Sequence, residues 1–442
     1  MADFPFSIEG VRLATAARLP QGSLRRRFAE SSFWSLCAAV LSRGATLITW
    51  IACARLVSQR DFGELTLIYG AVISGGVLAA FGVGTTTTRY VAELRLTDPA
   101  RAGRIIRLSA VLSAVLGALL AGGLVLFASP IARHVLHDQA LASSIVLAAG
   151  LVILNASNSH QLGTLAGLEA FKDLTRLSLW TGLAGCIICV VATMLAGIRG
   201  TICGLVISQA GNWLLTHIVL KRRAREAGIP QRAPGWWREI RVLYAFSLPA
   251  VLTSTLSGPI AMLMLYWLSR LPDGFNQLAL YAAADRWRLA ILFLPTSLLQ
   301  AELPILANLA GDGAGAQFRK VVRANALLAL AIVGGAAVIC PLVGPFAMGI
   351  FGRSYRAGST VLLLLCISAI PQVLNGVLGQ AVVTRSMWAR FGFDVLLFSI
   401  FAGCARVLIP STGATGLAGA YALAFAITTS LLLVYVRKHQ LA

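Results

Sequence analysis

Charge is what this sequence has least of. Asp, Glu, Lys and Arg together make up 12% of its 442 residues, against about 25% in an ordinary soluble domain. Acidic side chains are scarcer still, 17 against 37 Lys and Arg, so the formal net charge is +20. With 57% hydrophobic residues and a mean hydropathy of +0.79, this balance excludes a soluble globular chain and leaves a polytopic membrane protein. No GxxxxGK[ST] occurs, which argues against an ATP-driven pump. Long hydrophilic loops are missing too, and with them the extramembrane domain or acid cluster that a membrane glycosyltransferase, polymerase or ligase needs. The eight cysteines all fall in apolar stretches. Cys186 and Cys189 form a CxxC, but it lies between GLAG and VVAT with no second ligand pair, so the cysteines read as small packing residues and no metal or other cofactor is expected.

What is present in abundance is apolar sequence long enough to cross a bilayer, about 20 residues at a time. Twelve such stretches are expected. The first six are Phe33–Ala54, Glu64–Thr85, Leu108–Ser129, Ala142–Gly163, Leu174–Gly197 and Thr201–Leu220. The second six are Val242–Leu268, Leu278–Ala301, Val321–Met348, Ser359–Val383, Phe391–Ile409 and Ala414–Val436. Residues 1–31 carry five arginines and no sustained apolar core, so they read as a basic tail rather than a signal peptide.

Residues 221–241, KRRAREAGIPQRAPGWWREIR, separate six stretches from six. Pro and Gly break helix here, and Trp236 and Trp237 beside Arg238 and Arg241 suit an interfacial segment. The expected organisation is a basic tail (1–31), a six-helix bundle (32–220), a hinge-like linker (221–241) and a second six-helix bundle (242–442). Such duplicated halves are the pattern of transporters that rock around a central site.

Lys and Arg are distributed unevenly between the two sides. Of the 37, 26 fall on the side of the termini and the linker, eight on the other side and three within the stretches themselves. Basic residues accumulate on the cytoplasmic side, which places both termini in the cytoplasm. Most of the +20 charge is therefore topology and attraction for anionic membrane lipid, and no nucleic acid is expected as a partner.

The three intramembrane cations are Arg43, Arg286 and Arg288. An arginine at a helix centre costs roughly 2.5–3.5 kcal/mol on insertion scales, so such a residue normally faces a protein-lined hydrated cavity and marks a pathway or an anionic ligand. Arg43 shares a helical face with Leu36, Ala39, Thr46 and Trp50, which suits either a lumen wall or a packed interface. Asp285 and Arg288, three residues apart, can pair on one face, leaving Arg286 the freer cation. Asp285 and Asp394 are candidates for ion coupling, although Asp394 follows Arg390 by four residues and can equally be its ion-pair partner. Asn155 and Asn158, and Gln372 and Asn375, share faces from which amides can contact a glycan or bond to neighbouring helices. Gly82 and Gly84 read as a bend or a close helix contact, not as a phosphate loop.

Four stretches carry a family resemblance. ARLVSQRDFGELTLIYGAVISGGVLAAFGVGTTTTRYVAE resembles the opening of polysaccharide exporters, with an arginine-leucine end to the first span, a phenylalanine-glycine turn and a glycine-broken second span. LALYAAADRWRLAILFLPTSLLQAELPILANLAG, FGRSYRAGSTVLLLL and STGATGLAGAYALAFAIT are similar to the eighth span, the ninth-to-tenth turn and the last span of the same proteins. This is the Wzx-like polysaccharide transporter family of the MOP flippase superfamily, and the resemblance runs from Ser32 to Val436.

The resemblance implies an all-α protein of the bacterial inner membrane, with two six-helix bundles around a central cavity. It also implies an activity that is not enzymatic: moving a polyprenyl-pyrophosphate-linked oligosaccharide repeat unit to the periplasmic leaflet by alternating access, for O-antigen, exopolysaccharide or capsule synthesis. Arg43, Arg286 and Arg288 would line a cationic lumen for the diphosphate, which suits a planar, always-charged fork. A polysaccharide polymerase and a chain-length regulator are the protein partners such a role would bring. A MATE-like cation-coupled exporter and a lipid II-type flippase are the alternatives.

Overall fold

The structure, a computed structural model, describes residues 24–80, 82–134, 138–230, 234–240, 257–311, 315–383 and 386–438. Every extended element among them is helical. Helices α1 (Leu24–Leu56), α2 (Gln59–Ala80), α3 (Val83–Leu94), α4 (Pro99–Leu126), α5 (Ala128–His134), α6 (Ala142–Gly167) and α7 (Phe171–Glu226) form the first half. The second half holds α8 (Ser257–Ser269), α9 (Gly274–Gly311), α10 (Gly315–Gly349), α11 (Ser359–Val383), α12 (Met387–Thr412) and α13 (Ala414–Lys438).

Eight helical segments among the described residues are long and apolar enough to cross a membrane. One of them, α7, supplies two of the expected spans, because Gly197 at φ 55° reverses the chain. A left-handed φ costs an L side chain roughly 1–2 kcal/mol, and glycine avoids it. The two arms then pack back on each other, with Thr193 and Thr201 hydroxyls 2.9 Å apart. Together with α1, α8 and α9, these segments account for all twelve expected stretches, although residues 242–256 of the seventh lie outside the described residues.

Local chemistry sets the helix ends. Asp98 accepts from the Arg101 backbone N–H at 2.9 Å just before Pro99, the first residue of α4, and Ser386 accepts from Ala389 N–H at 3.2 Å to start α12. The expected second span continues as α2 and α3, bent at Gly82 where φ is 61°. Gly84 then packs against α6. A Cβ there would meet Ser159 Oγ at 2.8 Å, and a Cβ on Gly163 would collide with the Gly84 carbonyl. Both glycines of this stretch therefore do what their sequence context suggests, one bending the chain and the other admitting a neighbouring backbone.

Within each half the helices pack on one another, and the halves meet chiefly where α2 lies against α8 and α9. At the end remote from residues 221–240 this junction is tight. Gly63 leaves room for the Phe275 carbonyl, Arg55 Nε donates to Ile350 O at 2.6 Å, and Gln59 donates to Asn276 O at 3.3 Å. Aromatic rings run through it: Phe62 packs edge-on to Tyr355 and Phe351 at centroid distances of 6.0 and 6.5 Å, and Trp50 to Phe62 at 5.9 Å. Each such pair contributes roughly 0.5–1.5 kcal/mol beyond its area burial.

The basic stretch read as a linker begins as the last turns of α7, which runs to Glu226. Gly228, at φ 67°, turns the chain so that Ile229 packs with Leu94, Ala102, Ile105 and Ala224. Arg222 and Arg223 hold the Glu226 carboxyl below its usual range.

Candidate functional site

A cavity of about 870 Å³ lies between α2 and the second-half helices α8, α9, α11, α12 and α13. Its charged lining is three arginines, Arg286, Arg288 and Arg390, against two aspartates, Asp285 and Asp394. The surplus is one positive charge, and the hydrogen bonds identify which group carries it.

Arg288 is buried and fully engaged. Its Nε and Nη2 donate to Asp285 Oδ1 at 2.8 and 2.5 Å, and Nη1 donates to Gln372 Oε1 at 2.6 Å and to the Tyr421 hydroxyl at 3.1 Å. The Tyr421 ring also lies under the guanidinium, 4.7 Å from its centroid. The i, i+3 spacing on α9 brings Asp285 and Arg288 together, as expected from sequence, and α11 and α13 complete the shell.

Arg390 is engaged in the same way. It makes a two-point pair with Asp394 at 2.6 and 3.2 Å, and Nη1 donates to the Asn375 side-chain and main-chain oxygens at 3.0 and 3.2 Å. The guanidinium lies against Gly379 so closely that a Cβ there would overlap it. Asp394 is thus paired one helical turn from its partner, the structural alternative that the sequence left open.

Arg286 makes no ion pair or hydrogen bond among the described residues. Its guanidinium carbon instead sits 4.0 Å from the Trp50 ring centroid and 5.8 Å from that of Tyr69. Those two rings are edge-to-face at 4.9 Å. The cation belongs to α9 and its aromatic cradle to α1 and α2, so this contact spans the junction between the halves. Being paired with rings rather than carboxylates, Arg286 keeps its formal charge and its five N–H donors for an anion.

The remaining sequence candidates are distributed differently. Gln372 and Asn375 line the cavity, with Gln372 already accepting from Arg288. The buried Asn375 Nδ2 has no hydrogen-bond partner among the described residues. Asn155 and Asn158 do not line it: Asn155 packs against Gly76 of α2, and Asn158 is buried in the first half, its Oδ1 without a hydrogen-bond partner among the described residues. Arg43 is exposed on α1 and lies outside the cavity lining, close enough for its charge to act on Arg286 and Tyr69. Of the stripe associated with it, Thr46 is exposed and Trp50 buried, while the Leu36 and Ala39 side chains lie outside the described residues.

Sequence reading missed two participants, whereas Arg390 enters as the partner of Asp394 that its i, i+4 spacing offered. Tyr421 and Tyr69 offered no signal beyond being tyrosines in apolar helices. Among the described residues no cluster of three or more His, Cys, Asp or Glu is arranged to hold a metal.

The comparisons agree with the architecture. A family model described as polysaccharide biosynthesis protein matches residues 28–310. The EPS I polysaccharide export inner membrane protein EpsE of Ralstonia nicotianae is 28% identical over 407 residues, 89% of each chain. The lipid III flippase of Escherichia coli is 24% identical over 91% of this chain and 96% of its own length. Among solved structures, an inward-facing multidrug resistance MATE family transporter of the MOP superfamily superposes with a TM-score of 0.71 at 13% identity, covering 92% of this chain and 98% of that one. A MOP superfamily transporter from Pyrococcus furiosus, described as having a binding pocket of reversed polarity, gives 0.69 at 13% identity with 95% and 96% covered. These likenesses establish the MOP-type fold.

Proposed function

The chain belongs to the polysaccharide biosynthesis protein family, and from that premise we propose that it is a flippase for polyprenyl-pyrophosphate-linked oligosaccharide repeat units in the bacterial inner membrane. Translocation would feed O-antigen, exopolysaccharide or capsule synthesis, with the termini on the cytoplasmic side. The named relatives, an exopolysaccharide export protein and a lipid III flippase, support this reading. The observation that carries it is the state of Arg286, a cavity cation with no carboxylate partner among the described residues.

A diphosphate offers two adjacent anionic groups, each able to accept paired N–H donors from a guanidinium. In water that exchange gains little, but in a half-buried site with low effective dielectric it is strengthened. Arg286 would take the diphosphate directly. Arg43, outside the cavity wall but within electrostatic reach, would add attraction as the substrate approaches. Arg288 would serve chiefly as a support, because its donors already hold Asp285, Gln372 and Tyr421. The Asn375 amide on the cavity wall would meet the glycan, and the polyprenyl tail would stay in the bilayer.

Alternating access then amounts to rocking of the two bundles, with the tight junction around Phe62, Phe351 and Tyr355 closing the far end in the state seen here. Ion coupling through Asp285 or Asp394 would require that carboxylate to leave its arginine during the cycle. Transport that keeps its full gradient dependence in an Asp285→Asn, Asp394→Asn double variant would remove that role.

A MATE-like exporter of cationic compounds fits the cavity less well, since both of its carboxylates are neutralised by arginine. The test is leaflet assignment. In a strain lacking this protein, lipid-linked repeat units should accumulate where a membrane-impermeant glycan probe cannot reach them. Undisturbed exposure to the probe would refute the flippase reading.

A further inference from the structure

Downstream of α7, the chain makes a second, separate structure at the basic end. Gly235, at φ 73°, opens a short 3-10 turn over Trp236–Glu239. Glu239 is buried against α4, where it accepts from Arg101 Nε at 3.1 Å on one oxygen and from Arg104 Nε at 3.2 Å on the other. The stretch just before it is held as well, with Pro230 so close to Gly103 that a Cβ there would lie 2.6 Å from the Pro230 carbonyl. A carboxylate clamped between two arginines fixes the turn on the first half and leaves the opposite side of the turn facing out.

That outward side carries a particular chemistry. Trp237 is 58% exposed and Ile240 46% exposed, and Arg238 between them is exposed too. Trp236 braces Trp237 edge-on at 6.0 Å. Arg107 of α4 and Arg225 of α7 are also exposed, while Glu239 is taken up by its own two arginines and Glu226 by Arg222 and Arg223. The face thus joins an indole and an aliphatic side chain to the exposed Arg238, and the turn's own carboxylate, Glu239, is already held by two arginines. Water is a poor partner for the first pair. An amphipathic ring beside guanidinium groups suits the level of lipid headgroups, and the charge selects anionic ones.

We propose that the Gly235–Ile240 turn is a membrane foot that docks on anionic lipid headgroups, with Trp237 and Ile240 entering the interface and Arg238 contacting phosphate. Glu239 is a positioning residue for this contact. Because the clamp joins the foot to α4, the foot ties the first half to the membrane surface.

The test uses the full-length protein in vesicles and does not depend on transport. Tryptophan emission is compared between native protein and Trp237→Phe, so that the difference reports the indole at 237. Shallow brominated phosphatidylglycerol is expected to quench this difference signal, and brominated phosphatidylcholine to do so more weakly. Arg238→Glu should reduce the anionic-lipid effect by about fivefold or more, in keeping with the contribution of a single basic residue at such a surface. Glu239→Gln should weaken quenching while leaving Arg238 intact. Equal quenching in both lipids would overturn the anionic-headgroup assignment. A difference signal quenched only by an aqueous probe would overturn the membrane contact altogether and point to a protein partner for this face.

Discussion

The guanidinium carbon of Arg286 lies 4.0 Å from the centre of the Trp50 ring, and the two residues belong to different halves of the chain. A cation over an indole face is worth about 0.5–2 kcal/mol depending on desolvation. That is enough to hold an unpaired charge in place and weak enough for a diphosphate to displace it.

Trp50 should therefore matter through its ring face rather than its bulk. Trp50→Phe is expected to keep most export, and Trp50→Leu to lower it severalfold at matched protein level. Equal export from the two variants would show that the ring face is not used.

The Asp285–Arg288 pair should behave as a support. Removing one partner of a buried ion pair typically costs about 3–5 kcal/mol, because the other charge is stranded. Asp285→Asn and Arg288→Met are each expected to lower thermal stability in detergent markedly, and the double variant to recover part of that loss. Arg286→Met, which strands no carboxylate, should leave stability nearly unchanged while abolishing export.

Gly379 tests the second pair. A methyl group there overlaps Arg390, so Gly379→Ala must push the guanidinium off Asp394 and Asn375. Overpacking of this kind costs roughly 1–3 kcal/mol. The expected readout is a lowered melting temperature, partly relieved by Arg390→Lys, whose head is smaller. A melting temperature equal to native would mean that Arg390 has room elsewhere.

Gly163→Ala should be a damaging small change, since its methyl would meet the main-chain carbonyl of Gly84 and neither helix can yield locally. Loss of correctly inserted protein, measured by protease protection, is the expected result. Wild-type insertion would contradict the close crossing of α3 and α6.

How much of this was legible from sequence follows physical lines. Bilayer thickness imposes a length on every spanning helix, so the twelve stretches could be read from hydropathy, and Gly82 and Gly84 advertised a bend and a close contact. Asp285 and Arg288 were readable as a pair because i, i+3 spacing is local. The cradle of Arg286 was not, since Trp50 and Tyr69 reach it only when α1 and α2 pack against α9. For the same reason the position of Arg43, equally central in hydropathy, could not be read from sequence: it lies exposed on α1 and outside the lining of the cavity that holds Arg286. The clamp of Glu239 by Arg101 and Arg104 joins residues 138 and 135 positions apart, beyond any local pattern.

The most direct measurement follows lipid-linked repeat units in a strain lacking the chromosomal copy, using a membrane-impermeant glycan probe. Native protein is expected to restore probe access to the periplasmic leaflet, Arg286→Lys to restore part of it, and Arg286→Ala to restore none despite normal protein level. Full restoration by Arg286→Ala would contradict the claim that this cation guides the diphosphate across.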